Sequence, residues 1–218
     1  MPVLKKLPKA QGKGERGNQE NMLAAVVLSG GASSRMGSPK ALLAYQGRPF
    51  LEHLLEVTVH PKIQVRRVVL GAHAEPIAKT IALAADEIVI NADWESGQLS
   101  SIQSAIRSLP EGTAGSLLCL IDHPLISSAL VNELIEVFYA SSCAKIVLPV
   151  YQGRRGHPVI FPATLYQELL QAPADKGARA VVWAHAPADL LEVPTNEEGC
   201  VLNLNDPETM HRATGRSD

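Results

Sequence analysis

The sequence predicts an α/β fold in which a mostly parallel sheet is covered by helices on both faces. Two observations carry this expectation. Short continuous apolar runs recur along the chain, as strands buried on both sides require. Between them lie segments whose apolar residues repeat at helical spacing. Open sheets of this kind bind ligands beyond the carboxyl ends of their strands. Function is therefore expected in the loops that follow the apolar runs.

The elements follow in order. Residues 1–21 carry Lys5, Lys6, Lys9, Lys13 and Arg16 against Glu15 and Glu20. So few apolar side chains cannot offset the entropy of ordering, and the stretch reads as a flexible basic tail. Such a tail either touches an anionic partner or is a solvated extension. Residues 22–218 then form a single domain without internal repeat or linker. Its strand candidates are 23–28, 67–70, 87–90, 117–121 and 145–150. Phe50, Leu51, Leu54, Leu55 and Val59 share one helical face. Ile102, Ala105, Ile106 and Leu109 share a second, and Leu130, Leu134, Val137 and Phe138 a third.

Composition excludes several classes of function. Twenty basic residues against 22 acidic ones give a net charge of −2, which disfavours a general nucleic-acid binder. Aromatics at 4% are too few for a base-stacking platform. Cys119, Cys143 and Cys200 form no CxxC, so neither a disulfide framework nor a zinc ribbon is expected. No window reaches the roughly 18 apolar residues of a membrane span. The N-terminus has no apolar signal region, and a cytoplasmic location is the expectation.

The loop after the first run carries the densest chemical signal. It reads Leu28-Ser29-Gly30-Gly31-Ala32-Ser33-Ser34-Arg35-Met36-Gly37-Ser38-Pro39-Lys40. Glycines let backbone N–H groups approach a ligand, serines add donors, and Arg35 and Lys40 add cations, a set suited to a triphosphate. It is not a Walker A loop, because Ser38 and not lysine follows Gly37, and it is not GxGxxG.

This loop resembles the LxxGxSxRMGxPKxLL pattern of the MobA-like NTP transferases that act on the molybdenum cofactor, the cytidylyltransferases and the related molybdopterin guanylyltransferases. The resemblance runs on in order over about residues 23–212. Gly71-Ala72-His73-Ala74-Glu75 is similar to the segment after the family's second strand. Asn91-Ala92-Asp93-Trp94-Glu95-Ser96-Gly97-Gln98-Leu99-Ser100-Ser101 resembles NPDWxxGMxSS, with Gln98 in place of Met. Asp122-His123-Pro124-Leu125 resembles the metal motif DxPL. Gly153-Arg154-Arg155-Gly156-His157-Pro158-Val159 resembles GRRGHPV, Asp175-Lys176-Gly177-Ala178-Arg179 resembles GDxGAR, and Asn203-Leu204-Asn205-Asp206-Pro207-Glu208 resembles DIDTPED.

The resemblance implies a three-layer sandwich with a Rossmann-like, mostly parallel sheet of the nucleotide-diphospho-sugar transferase type. It implies transfer of CMP from CTP to the terminal phosphate of the molybdenum cofactor, with Mg²⁺ and release of pyrophosphate. Arg35, Lys40 and Asp122 are the implied catalytic set. Leu28, Ser29, Gly30, Gly31, Ser33, Ser34, Gly71, Asn91, Ser100 and Ser101 join Arg35 and Lys40 around the nucleotide. Arg154, Arg155, Gly156, His157, Asp175, Gly177 and Arg179 line the acceptor side, where two arginines suit a phosphate dianion. Asp122 and Asn205 are the implied metal ligands, with Asn203 and Asp206 as fallbacks.

Each of these has a plainer reading beside it. Asp122 also suits the cap of the following helix. The 203–207 stretch also suits a turn. Ser100 and Ser101 suit a helix N-cap, and His157 a packed strand histidine. Asp175 and Arg179 suit an ordinary helix pair. Gly30-Gly31 matches the guanylyl pattern LAGG, whereas Ser38-Pro39-Lys40 and the 153–159 motif match the cytidylyl branch. GTP in place of CTP, another phosphorylated small molecule as acceptor, and a non-catalytic carrier delivering the cofactor to a molybdenum enzyme are the rival functions.

Overall fold

The computed structural model describes residues 21–214, so all but Asn21 of the tail expected over residues 1–21 lies outside the described residues. Strand β1 (Met22–Ser29) is buried along almost its whole length and sits at the centre of the sheet. A small β2–β3 hairpin (Ala44–Tyr45 and Arg48–Pro49) leads into helix α1 (Phe50–Val57). Then come β4 (Ile63–Leu70), α2 (Ala74–Thr80), β5 (Ile88–Ile90), α3 (Gln98–Ser108), β6 (Thr113–Leu120) and α4 (Ser128–Ala140). The second half adds β7 (Ile146–Tyr151), β8 (Arg154–Arg155), β9 (Val159–Pro162), α5 (Tyr166–Gln171), α6 (Arg179–His185), β10 (Leu190–Pro194) and α7 (Pro207–Thr214).

The main sheet runs β10-β7-β9-β6-β1-β4-β5, with β8 paired to β7. β1 is parallel to both β4 and β6, β4 to β5, and β10 to β7. Only β8 and β9 run against their neighbours. The expected mostly parallel sheet with helices on both faces is what forms. The alternation of β1 explains why: Val27 joins the core under α1, α2 and α4, while Val26 and Leu28 join the core under α3, α5 and α6. Strands β9 and β10 were not among the apolar runs singled out in the sequence. Both are short and end on proline.

The three helical faces form, with one correction. Thr58 closes α1, its Oγ1 donating to the carbonyls of Leu54 and Leu55 at 2.9 and 3.0 Å. Val59 therefore leaves the helix and is 73% exposed instead of joining the apolar face. No helix among the described residues is long and apolar enough to cross a membrane.

Strand direction places the functional loops. The carboxyl ends of β1, β4, β5, β6 and β7 lie at one edge of the sheet, because β9 reverses between β6 and β7. Segments 30–40, 71–73, 91–97, 121–127 and 152–158 are thus neighbours there.

Candidate active site

The loop after β1 is held by its own side chains. Ser33 adopts a left-handed conformation, and its Oγ accepts the Lys40 backbone N–H at 3.1 Å. The Ser33 carbonyl accepts the Met36 N–H, so the chain turns through a short 3-10 segment, Ser34–Met36. Gly37 takes a φ of +65°, which glycine adopts at little cost. His73 Nε2 lies 2.8 Å from the Ala32 carbonyl, and Ala72 N–H donates to the Gly30 carbonyl, which anchors the loop to the end of β4. The Arg35 side chain lies outside the described part of the structure.

A cavity of about 220 Å³ opens beside this loop, lined by Leu28, Ser29, Gly30, Gly31, Ser33 and Lys40, with Asp122, Ser101, Trp94 and Gln98 opposite. Most of the residues expected around a nucleotide thus meet at one place. Ser34, Gly71, Asn91 and Ser100 do not line it; the last three hold together segments that do. A side-chain carbon at Gly71 would fall 2.4 Å from the Gly30 carbonyl oxygen and 2.6 Å from Trp94 Cβ, so only glycine lets these segments close up. The buried Asn91 amide donates to Ser100 Oγ at 2.8 Å and Ser101 Oγ at 3.0 Å, and its oxygen accepts the Asp93 N–H. Asn91 is thereby committed to bolting the end of β5 to the start of α3.

Asp122 stands two residues past β6 with its side chain 20% exposed toward the cavity. It does not cap α4. Ser127 does, accepting the Leu130 N–H at 3.1 Å. The Asp122 carbonyl accepts the Leu204 N–H at 2.8 Å, which brings the 203–206 stretch alongside. Asn205 Oδ1 accepts from Lys40 Nζ at 2.5 Å, so the first loop and the closing stretch meet directly. The two fallback ligands go elsewhere. Asp206 accepts the Thr209 N–H at 2.8 Å and the Thr209 hydroxyl at 3.1 Å, the contacts of a helix cap at α7. Asn203 lines a separate cleft with Arg154.

A second cavity, about 490 Å³, adjoins the first and shares Leu28, Gly97, Gln98 and Leu120 with it. Arg155, Gly156, His157, Asp175, Gly177 and Arg179, expected on the acceptor side, line it, and Arg154 does not. The paired arginines do not converge. As neighbours on β8 they take opposite sides of the strand. Arg155 lines the cavity and pairs with Glu192 at 2.6 Å, whereas Arg154 reaches the Val201 carbonyl at 3.4 Å. Asp175 lies ahead of α6 instead of within it, and Arg179 Nε donates to the Lys176 carbonyl at 3.1 Å.

Residues 25–188 match the MobA-like NTP transferase domain. The chain belongs to that family. It is a MobA-like nucleotidyltransferase, 32% identical to the nicotine blue oxidoreductase of Paenarthrobacter nicotinovorans, over 72% of this chain and 79% of that protein. It is 28% identical to the molybdenum cofactor guanylyltransferase of Rhizobium meliloti, over 87% of this chain and 89% of that one. Among solved structures, Rv0371c of Mycobacterium tuberculosis superposes with a TM-score of 0.75 at 26% identity, covering 90% of this chain and 99% of that one. A further structure of Rv0371c is a complex with manganese.

At the larger cavity of this MobA-like chain, which His157 lines, lies a pair of histidines that the sequence did not flag as a unit. His123, 3% exposed, packs against His157 with ring centroids 5.0 Å apart and ring planes tilted by 48°. His123 Nδ1 lies 3.4 Å from the Gly199 carbonyl, and Nε2 lies 3.9 Å from Asp122 Oδ1. His157 N–H donates to the Cys200 carbonyl at 2.7 Å, and its Nδ1 has no hydrogen-bond partner among the described residues. Gly156 permits this closeness, since a side-chain carbon there would fall 2.5 Å from the Cys200 carbonyl oxygen.

Burial, and then the neighbouring His123, pushes the His157 imidazole down to about 3. Burial lowers His123 as well. The unfolded chain takes up a proton at His157 near pH 6.5 and the native chain only near 3. Native stability from this group is therefore complete above about pH 6.5 and is lost as pH falls toward 3. Acidifying from about pH 7.5 to about pH 5 should cost on the order of 2 kcal/mol through His157 alone. Urea unfolding at the two pH values checks this, and His157→Gln should flatten that part of the slope.

Proposed function

We propose that this chain transfers CMP from CTP to the terminal phosphate of the molybdenum cofactor and releases pyrophosphate. The observation that carries the reading is the continuity of the two cavities. One is rimmed by the glycine- and serine-rich loop with Lys40, the other by Arg155, Lys176 and Arg179. A triphosphate in the first and a phosphorylated acceptor in the second would meet beside Gly97 and Gln98. An acceptor phosphate oxygen attacks the α-phosphorus, the bond to the β-phosphate breaks, and pyrophosphate leaves with the electron pair. The attacking oxygen is already ionised, so no general base is required. Lys40 and Arg35 balance triphosphate charge.

The donor set fits a hard divalent ion. Asp122 offers a partly exposed carboxylate at the cavity, and Asn205 an amide oxygen near Lys40. Mg²⁺ is commonly held by one or two protein oxygens plus phosphate and water. Asp122 would hold it first and Asn205 second, and the ion would neutralise charge on the phosphates. The manganese complex of Rv0371c supports a divalent ion in this family.

Ser38-Pro39-Lys40 and the 153–159 motif support CTP. The relatives named guanylyltransferases and the Gly30-Gly31 pair support GTP. Packing weakens the second argument: a side-chain carbon at Gly30 would fall 2.9 Å from Ser101 Oγ, so its smallness answers to Ser101 as well as to a base. Pyrophosphate release with Mg²⁺ and each of CTP, GTP, ATP and UTP, with and without molybdenum cofactor, tests the reading. Release with CTP and cofactor only is expected, and release with GTP only makes the chain a guanylyltransferase. Cofactor binding without release with any nucleotide makes it a carrier to a molybdenum enzyme. No cofactor binding points to another phosphorylated acceptor.

A further inference from the structure

We propose that Trp183 is a specificity-determining residue of the larger cavity, its indole taking the planar heteroaromatic ring of an anionic acceptor. The proposal rests on the nucleotidyl-transfer reading above and assigns a residue that none of the motifs includes. Val59, Ile90 and Trp183 are the large apolar side chains left most exposed among the described residues, and Trp183 is the one at this cavity. It stands on α6, where Val181 is buried and Val182 packs into the core, yet the indole remains 59% exposed. An indole left at the mouth of a cavity forgoes burial that its own helix could have given it. A ligand ring recovers that loss.

The surroundings fit an acceptor that carries negative charge beside its ring. The Arg179 guanidinium, one helical turn before Trp183, lies 5.7 Å from the indole centroid. Its bond to the Lys176 carbonyl holds it there. Lys176 adds a cation to the lining, which also holds Asp175 and the Arg155 guanidinium paired with Glu192. The inner wall is apolar, with Leu118, Leu148, Val159 and Phe161. A sugar phosphate would turn hydroxyls toward that wall without partners, which costs free energy. A flat bicyclic ring would lie against it and against the indole. At about 490 Å³ the cavity has room for such a ring with a phosphate-bearing tail.

Trp94 and Trp183 are the two tryptophans, and each lines a different cavity, so fluorescence separates them. Titrating the full chain with 6-hydroxymethylpterin monophosphate should quench the signal, and the quench should be absent in Trp183→Phe, where Trp94 alone reports. In the transfer assay, Trp183→Leu should raise the acceptor KM about tenfold with the nucleotide KM unchanged, and Trp183→Phe should restore most of it, as aromatic stacking on a base-like ring predicts. An equal quench with ribose 5-phosphate, or an unchanged acceptor KM in Trp183→Leu, overturns the proposal. Quenching with no pyrophosphate release under any nucleotide keeps Trp183 and sinks the transfer reading. Normal release with an unchanged Trp183→Leu protein does the reverse.

Discussion

Asp122→Asn should lower nucleotidyl transfer by on the order of 10²–10³-fold while the protein stays folded. Asp122 supplies a carboxylate at the cavity, and asparagine keeps its shape while removing the charge. Folding should survive because Asp122 holds the closing stretch through its backbone carbonyl, which accepts the Leu204 N–H. The loss should fall on kcat and should be partly offset by raising the Mg²⁺ concentration. Steady-state kinetics across a Mg²⁺ series with thermal melts of both proteins checks this. Turnover equal to that of the unsubstituted protein would remove Asp122 from the metal site.

Lys40→Met should be nearly as damaging, with transfer down by about 10²-fold and the nucleotide KM raised about tenfold. Two things are lost at once, the cation we propose for the triphosphate and the bond to Asn205 Oδ1. Lys40→Arg should restore only part of the activity, since a planar fork does not reproduce a compact ammonium at the same point. Residues in direct contact couple when both are changed. Asn205→Ala in the Lys40→Met background should therefore cost less than Asn205→Ala alone. Equal costs in the two backgrounds would show that the Lys40–Asn205 contact does not matter to the reaction.

The layered α/β architecture was legible because buried parallel strands and amphipathic helices leave different apolar periods. The reversal at β9 was not, because strand direction depends on long-range pairing and residues 159–162 look the same either way round. The motifs were legible, and the loop after β1 and Asp122 line one cavity. Individual roles were less so. Asn91 reads as a polar group near a ligand, but its amide is consumed by Ser100, Ser101 and the Asp93 N–H. Asp206 reads as a spare carboxylate, but Thr209 takes both its oxygens. Arg154 and Arg155 read as a clamp until strand alternation sends them apart. Trp183 sits outside every motif, and only the shape of the cavity draws it in.

The contact between Lys40 and Asn205 joins residues 165 positions apart. A ribosome adding about 5–20 residues per second makes Lys40 roughly ten to thirty seconds before its partner exists. Through that interval the nascent chain carries the glycine-rich loop without the segment that Leu204 later docks on Asp122. The loop after β1 thus gains this partner only once residues 203–205 have been made. A chain cut short before residue 203 would retain the central strands and lack both the Lys40–Asn205 and the Asp122–Leu204 contacts.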